Sequence, residues 1–469
     1  MNRSTLRAPV LVVVFVVALS VALVVVALSW PAPGPGLATG RPIQYFNATL
    51  SVAAAGLPVS PAMFGVGIEA DSPLTSDSAA LLSATPIHYL RYPDGTAGDA
   101  MDLVNGSIYA PGEVGVTPAA VTVADFVSLC RAINCSAIIE LPVEINDPGV
   151  AAYEVSYIEH TLQFFPAYWE LGNEPRNWTC YGVPWVHWVS GCDVATNATE
   201  YANSAAAYIS SVRQVDPSAQ FLGLGGTDGS AWVTPLEAKV GPELAGISVH
   251  SYVDDLLPNS STVNLQNFFA GLSSANALPN LIGSTRRAII DQCGSCSTAV
   301  FVTEMDSVSF DSPLARYLDS SYNGLFFAAE MTQAFDAQAT SVEPFAWTGA
   351  ESGLVNESGP GWRYVIELHF LSHLGDWEHN ATVSAPGVYA TATTLASAAS
   401  LLLVNTDSDT QVNVTLPTSG WVIGANVTES EWSAATQSMQ VEPSTTFDSS
   451  VVSLPPLSVV LLQGSAASD

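Results

Sequence analysis

Short apolar runs alternating with helical patterns occupy the middle of the chain. The runs at 63–68, 87–92, 137–141, 168–171, 221–224, 246–250, 299–303 and 342–347 have the length and near-continuity of strands buried on both faces. Between them, apolar spacings of three and four predict helices over 77–83, 123–133, 151–165, 199–215, 284–292, 322–337 and 362–374, with Thr122 and Thr199 placed as N-caps. A βα rhythm repeated eight times predicts a (β/α)8 TIM barrel over 61–375. From 376 to 469 the period shortens: 388–394, 400–405, 410–416, 421–427 and 451–462 alternate between Ser, Thr, Asn and Pro turns, as in an all-β sandwich. The stretch 45–60 holds a further alternating strand, placed in that sandwich. The fold class expected is therefore α/β, a TIM barrel followed by a β-sandwich.

The N-terminus is of another kind. Arg3 and Arg7 precede an apolar run from 10 to 30, and about 20 such residues span a bilayer. Residues 1–30 thus read as a signal anchor or a signal peptide, and the Pro/Gly-rich stretch 31–44 as a tether. Either way the remainder is expected outside the cell, secreted or on the outer face of the membrane, touching it only through this segment. Sequons headed by Asn47, Asn105, Asn134, Asn177, Asn197, Asn259, Asn356, Asn380, Asn413 and Asn426 agree with export through their density. So do six cysteines in close pairs, Cys130 with Cys135, Cys180 with Cys192 and Cys293 with Cys296, for which short-loop disulfides are the simplest pairing. No His accompanies them at zinc-site spacing, so no metal site is expected.

Charge narrows the partners. The chain has 43 acidic and 12 basic residues, a formal net charge of −31, and a single lysine, Lys239. Such a balance argues against nucleic acid or an anionic membrane surface as partner. Charged residues of both signs make up only 12% of the chain, which suits an exterior working in acid.

Chemistry concentrates in two stretches. Trp169-Glu170-Leu171-Gly172-Asn173-Glu174-Pro175 reads as a strand ending at a sharp corner, with Pro175 expected to hold Glu174 extended. Val300-Phe301-Val302-Thr303-Glu304-Met305-Asp306 is a second buried strand ending in Glu. Carboxylates at the C-terminal tips of two barrel strands are what glycoside hydrolysis needs, one to protonate the leaving oxygen and one to attack the anomeric carbon or activate water. Arg91, inside the apolar run Leu90-Arg91-Tyr92, needs a buried carboxylate partner.

These motifs resemble the clan of retaining glycoside hydrolases with an eight-stranded barrel. Within it the surroundings are most similar to the heparanase/β-glucuronidase family 79, and next to the α-L-arabinofuranosidase family 51. The resemblance spans roughly residues 60 to 465, with its specific part in about a dozen positions. It implies Glu174 as general acid/base, Glu304 as nucleophile (Asp306 being the rival), and Asn173 as donor to the sugar 2-hydroxyl. It also implies His250 or Tyr252 as partner of the nucleophile, and Arg91 as part of the second-strand motif. There Asp94 replaces an expected glycine, which puts the loop's shape in doubt. Glu69 is a candidate for binding a sugar hydroxyl and Trp347 for stacking on the sugar. Trp178, Trp185 and Trp188 are candidates to line the cleft. The expected function is a retaining glycosidase acting on uronosyl or neutral sugars, with no cofactor. An arabinofuranosidase or endoglucanase-like activity is the alternative. The rival of another class is an inactive surface glycan-binding or cell-envelope protein. Few cations remain for a polyanion, so heparan sulfate is not expected as substrate.

Overall fold

The computed structural model describes residues 42–466 except 100, 109–116, 177–196, 227–229, 254–263, 276, 310–311, 350–352, 357–358, 420, 425–426 and 444–449. The expected anchor or signal, most of the tether, Asn177, Trp178, Cys180, Trp185, Trp188, Cys192, Asn259 and Asn426 lie outside the described residues. Among the described residues no helix is long and apolar enough to cross a membrane.

Eight parallel strands form the barrel: β1 (Gly65–Gly67), β2 (Tyr89–Tyr92), β3 (Ser136–Leu141), β4 (Tyr168–Leu171), β5 (Phe221–Gly226), β6 (Leu244–Tyr252), β7 (Val300–Asp306) and β8 (Ser341–Pro344). Each pairs with its sequence neighbour, and a parallel bridge from Phe64 to Val342 joins β8 to the start of β1. The main helices, one after each strand, are α1 (Ser78–Ser83), α2 (Val123–Ile133), α3 (Pro148–Ser156), α4 (Ala198–Val212), α5 (Ser230–Val240), α6 (Leu278–Cys293), α7 (Ser321–Asp336) and α8 (Trp362–His369); two short helices, Thr96–Asp99 and Leu265–Ala270, lie in the connections after β2 and β6.

All eight expected strands are present, shifted by a few residues at their ends. The helices needed corrections: Thr96–Asp99 and Leu265–Ala270 were not expected, and the helix expected over 151–165 is α-helical only to Ser156 and runs on as a π-helix over Tyr157–Thr161. Thr122 caps α2 through a capping box with Asp125, but α4 is capped by Asn197, whose side chain accepts from the amides of Thr199 and Glu200; Thr199 is already inside the helix. Helix α5 was not expected, because Pro235 interrupts its pattern and a Gly-rich stretch precedes it.

The second layer system consists of two sheets. One has four strands, ordered Ala381–Val383, Gln44–Val52, Thr410–Thr415 and Val451–Leu454. The other has seven, ordered Leu57–Pro58, Trp377–His379, Val388–Leu395, Ala398–Asn405, Ser458–Ser465, Thr428–Ser433 and Ser438–Pro443. The N-terminal strand is thus built into the sandwich, parallel to Thr410–Thr415. The strand expected over 421–427 is displaced into the hairpin Thr428–Ser433 and Ser438–Pro443; Ile423 makes only an isolated bridge to Ala466. The run 451–462 is cut in two at Pro455 and Pro456, which cannot donate to a ladder.

Helix α7 ties the two parts together. Nearly all its residues are buried, as expected of a helix covered on every side. Ser321 Oγ donates to Ala434 O at 2.8 Å and Thr391 Oγ1 to Thr332 O at 3.3 Å, both across the junction. Trp362 of α8 packs on Trp432 of the sandwich at 5.6 Å.

Candidate active site

The barrel interior is layered. Its floor is apolar: Ile138 of β3, Leu222 of β5 and Phe301 of β7 pack together with Tyr89 of β2 and Tyr168 of β4. Side chains alternate along a strand, so the residue two positions on faces the same way. Two positions beyond Tyr89, Ile138, Tyr168 and Phe301 stand Arg91, Glu140, Glu170 and Thr303. A polar layer therefore lies directly above the floor, toward the C-terminal ends of the strands, and all four are fully buried.

Arg91 is its hub. Nε donates to Glu170 Oε2 at 2.5 Å, and Nη1 to Glu304 Oε1 at 2.8 Å and to Asp94 Oδ1. Nη2 donates to Asn173 Oδ1 at 2.8 Å and to Glu140 Oε2 at 3.3 Å. Thr303 Oγ1 adds a hydrogen bond to Glu170 Oε1 at 3.0 Å. The buried carboxylate that Arg91 was expected to need is present, but it is one of four, Glu304 among them. Glu140, Glu170 and Asp94 were not expected as site residues.

A β-bulge places Glu304. Between β6 and β7 the register steps from Val249 opposite Val302 to His250 opposite Glu304, so Thr303 is an extra residue and both it and Glu304 reach the interior. Glu304 also accepts from Tyr252 Oη at 2.7 Å, and His250 Nδ1 lies 3.4 Å from its Oε2. Both partners come from β6, as the resemblance implied. Burial, and then the Glu304 charge, push the Tyr252 hydroxyl well above its ordinary range, so it stays a donor.

Glu174 stands at the corner after β4. It was expected extended but has φ 42, in the left-handed region that non-glycine residues rarely adopt. The cause is the packing of the corner against β5, where the Glu174 amide donates to Gly225 O. A Cβ on Gly225 would fall 2.8 Å from Gly172 O, so only glycine lets the two strands approach this closely. His250 Nδ1 lies 3.0 Å from Glu174 Oε1. One oxygen of Glu174, His250 Nδ1 and one oxygen of Glu304 all fall within 4.8 Å of one another. Nδ1 thus lies between the two carboxyl groups, near enough to both to exchange a hydrogen bond with the one that is ionised.

Asn173 is buried between Arg91 and Asp99. Its Oδ1 takes the Arg91 hydrogen bond at 2.8 Å and its backbone N–H donates to Asp99 Oδ1 at 3.0 Å; with the oxygen assigned to Arg91, the side-chain NH2 is a donor, as the resemblance asks. Glu69, past β1, is half-buried beside Gly349 and accepts from Ser72 at 3.1 Å. Burial first, then Asp71 and Glu304, raise its pKa to about 7.

Two expectations resolve against the sequence reading or its rival. Trp347 is fully buried, with Nε1 donating to Ser78 Oγ at 3.0 Å and the ring against Tyr364, so it offers no open face for a sugar. The aromatic at the end of β8 is Phe345, lying over Gly95. Asp306, the rival of Glu304, is held by Arg363 at 3.2 Å, by the Ser307 amide at 2.7 Å and by Asn323 at 3.2 Å, which occupies its oxygens structurally.

Cys130 is bridged to Cys135 and Cys293 to Cys296. Glu237 approaches the second bridge, but bridged sulfurs provide no thiolate for a metal.

No family model and no curated protein matches the chain. Solved structures do. An α-L-arabinofuranosidase from Thermotoga maritima, solved with arabinose, superposes with a TM-score of 0.69 at 14% identity, covering 89% of this chain and 100% of its own. A family 51 α-L-arabinofuranosidase from Bifidobacterium longum gives 0.71 at 13%, covering 89% and 99%. A bifunctional glucanase-xylanase from a metagenome library gives 0.67 at 16%, covering 91% and 100%. At these identities the likeness is one of fold: a TIM barrel carrying a β-sandwich.

Proposed function

We propose that the chain is a retaining glycoside hydrolase. The observation that carries this reading is the pair Glu174 and Glu304, held at the tips of β4 and β7 around one histidine nitrogen. Retaining enzymes keep their two carboxyl groups about 5–5.5 Å apart, whereas inverting ones leave about 6.5–9.5 Å for a water. Oxygens within 4.8 Å of each other favour the first. Glu304, fed by Arg91 and Tyr252, attacks the anomeric carbon; Glu174 gives its proton to the departing oxygen. A glycosyl ester on Glu304 results. Glu174 then takes a proton from water, which attacks the same carbon and releases the sugar with its configuration restored. Asn173 donates to the 2-hydroxyl.

For substrates we propose neutral glycosyl ends first, arabinofuranosyl, glucosyl or xylosyl, guided by the activities of the structurally similar enzymes, with uronosyl ends next. We place the enzyme outside the cell, on the strength of the N-terminal segment and the disulfides.

A screen of chromogenic glycosides tests the reading, followed by Glu304→Ala and Glu174→Ala. Glu304→Ala is expected to abolish turnover, with azide restoring it to give a product of inverted configuration. Glu174→Ala should lose least on activated leaving groups. Glycan binding without hydrolysis would return the chain to the inactive class. A dead Asp306→Ala beside an active Glu304→Ala would reassign the nucleophile.

A further inference from the structure

Arg91 meets more carboxylates than one cation neutralises. Asp94, Glu140, Glu170 and Glu304 all touch it. If all four were ionised, three negative charges would be left over among buried side chains, where an uncompensated charge is strongly disfavoured. Protons remove that excess, and the supply of donors decides where they settle. Glu304 has Arg91 and Tyr252, with His250 3.4 Å away. Glu170 has Arg91 and Thr303. Asp94 has Arg91 Nη1 alone, and its Oδ2 is buried without a hydrogen-bond partner. Glu140 is placed likewise, with Oε1 unpartnered.

Asp94 differs from Glu140 in sharing one N–H donor group, Nη1, with Glu304. Its setting is also built for it. Its φ of 63 lies in the left-handed region, which Asp and Asn tolerate better than most residues. A Cβ on Gly67 of β1 would fall 1.6 Å from Asp94 Oδ2, so β1 leaves out a side chain where this carboxyl sits.

We propose that Asp94 is a positioning residue of the active site that works as a neutral carboxylic acid, holding Arg91 Nη1 in place while the negative charge of the Asp94–Glu304 pair resides on Glu304. This rests on reading Glu304 as the nucleophile. The groups facing Asp94 are Arg91 from β2, Glu304 from β7, Glu343 from β8, Glu69 beyond β1 and, further off, Glu140 from β3. Burial outweighs the pull of Arg91, and the carboxylates add to it, so Asp94 keeps its proton well above the ordinary carboxylate range. When it does ionise, a second anion competes for Nη1 and draws it from Glu304.

The test follows kcat/KM against pH with an activated aryl glycoside, whose leaving group needs no proton, so that Glu174 does not shape the profile. Asp94→Ala removes one of the two acceptors of Nη1 and should cost about 100-fold, the scale of a misplaced catalytic group. Asp94→Asn mimics the neutral acid in the same backbone; it should recover most of that loss and move the alkaline limb up by about one pH unit or more. An Asn variant as poor as the Ala variant, or one whose alkaline limb coincides with the wild type's, would overturn the proposal. Infrared spectra judge the proton without any activity: the wild type should show a protonated-carboxyl C=O band that Asp94→Asn lacks, and an unchanged band would refute it. If no glycoside is turned over, the hydrolase reading falls while the infrared result still decides where the proton sits.

Discussion

Glu304 depends on donors that come from two strands, and Tyr252 is the one whose loss is simplest to read. A donor to a carboxylate favours the ionised form, so its removal raises the carboxyl's pKa. A hydrogen bond to a charged group is worth about 1.5–3 kcal/mol, which is about one to two pH units. Tyr252→Phe should therefore move the acid limb of kcat/KM upward by about one unit or more, measured on the same activated glycoside. An acid limb left in place would mean that the 2.7 Å contact does not set the charge of Glu304. At this scale the sequence was informative where chemistry sits on an apolar strand end: Glu174, Glu304, Asn173, Arg91, His250 and Tyr252 converge in one place. It was silent on Asp94, Glu140 and Glu170 as partners of Arg91. The latter two had a legible signal, since each is a carboxylate inside an apolar run, two positions beyond the residue that forms the barrel floor. Trp347 was misjudged because position along a strand does not reveal whether the ring faces the cleft or α8.

At the scale of elements, strand order and the first sandwich strand were legible from period alone, since buried parallel strands and alternating edges have different patterns. Helix α5 was not, because Pro235 and weak segregation of its apolar residues erase the helical signal while tertiary packing against the barrel still forms it. Nor could the pattern reveal how α7 meets the sandwich. There Asp336, the last residue of α7, faces Glu378 of strand Trp377–His379, while Gln338 Nε2 donates to Glu378 Oε2 at 3.2 Å. Two carboxyl groups side by side repel when both are ionised, so one tends to keep a proton. Burial first, then Glu378, raise the Asp336 pKa to about 8. A folded-state pKa above the unfolded one gives stability that is complete below the unfolded value, about 3.9, and is lost as pH rises through about 8. Discounted for partial exposure, the loss is about 1–2 kcal/mol, or about 1–2 °C in Tm for a protein of this size. Melting curves from pH 4 to 9 should therefore fall with pH in the wild type and fall less in Asp336→Asn; parallel curves would exclude this carboxyl from the junction's pH response.

Across the whole molecule, the inventory of cations decides which polymers can approach. Of the 12 Lys and Arg residues, Arg3, Arg7 and Arg41 precede the described residues. Arg131 binds carbonyls ahead of β4, Arg286 binds carbonyls ahead of β8, and Arg213 pairs with Glu243 ahead of β6, all toward the N-terminal ends of the strands. Lys239 and Arg287 lie on α5 and α6, which lead into the same ends. At the catalytic end Arg91 is sealed by four carboxylates, and Arg363 is buried on Asp306 and the Phe345 carbonyl. That leaves Arg176 and Arg316 on the surface there, facing an active centre that already contains Glu69, Glu174, Glu304 and Asp306. The segments 109–116, 177–196, 227–229, 254–263, 310–311 and 350–352 contain no Lys or Arg, so no arrangement of them supplies the missing charge. A sulfated polymer would have to lay a dense line of anions along this face without a matching row of cations, against a net charge of −31. Screening shortens that repulsion to about 8 Å at ~0.15 M salt, but within the cleft the groups are closer than that. The protein should therefore pass through a heparin column at ~0.15 M salt without retention and leave heparan sulfate intact while cleaving a neutral glycoside. Retention on heparin, or shortened heparan sulfate chains, would require Arg176 and Arg316 to do what two cations on an acidic face are not expected to do.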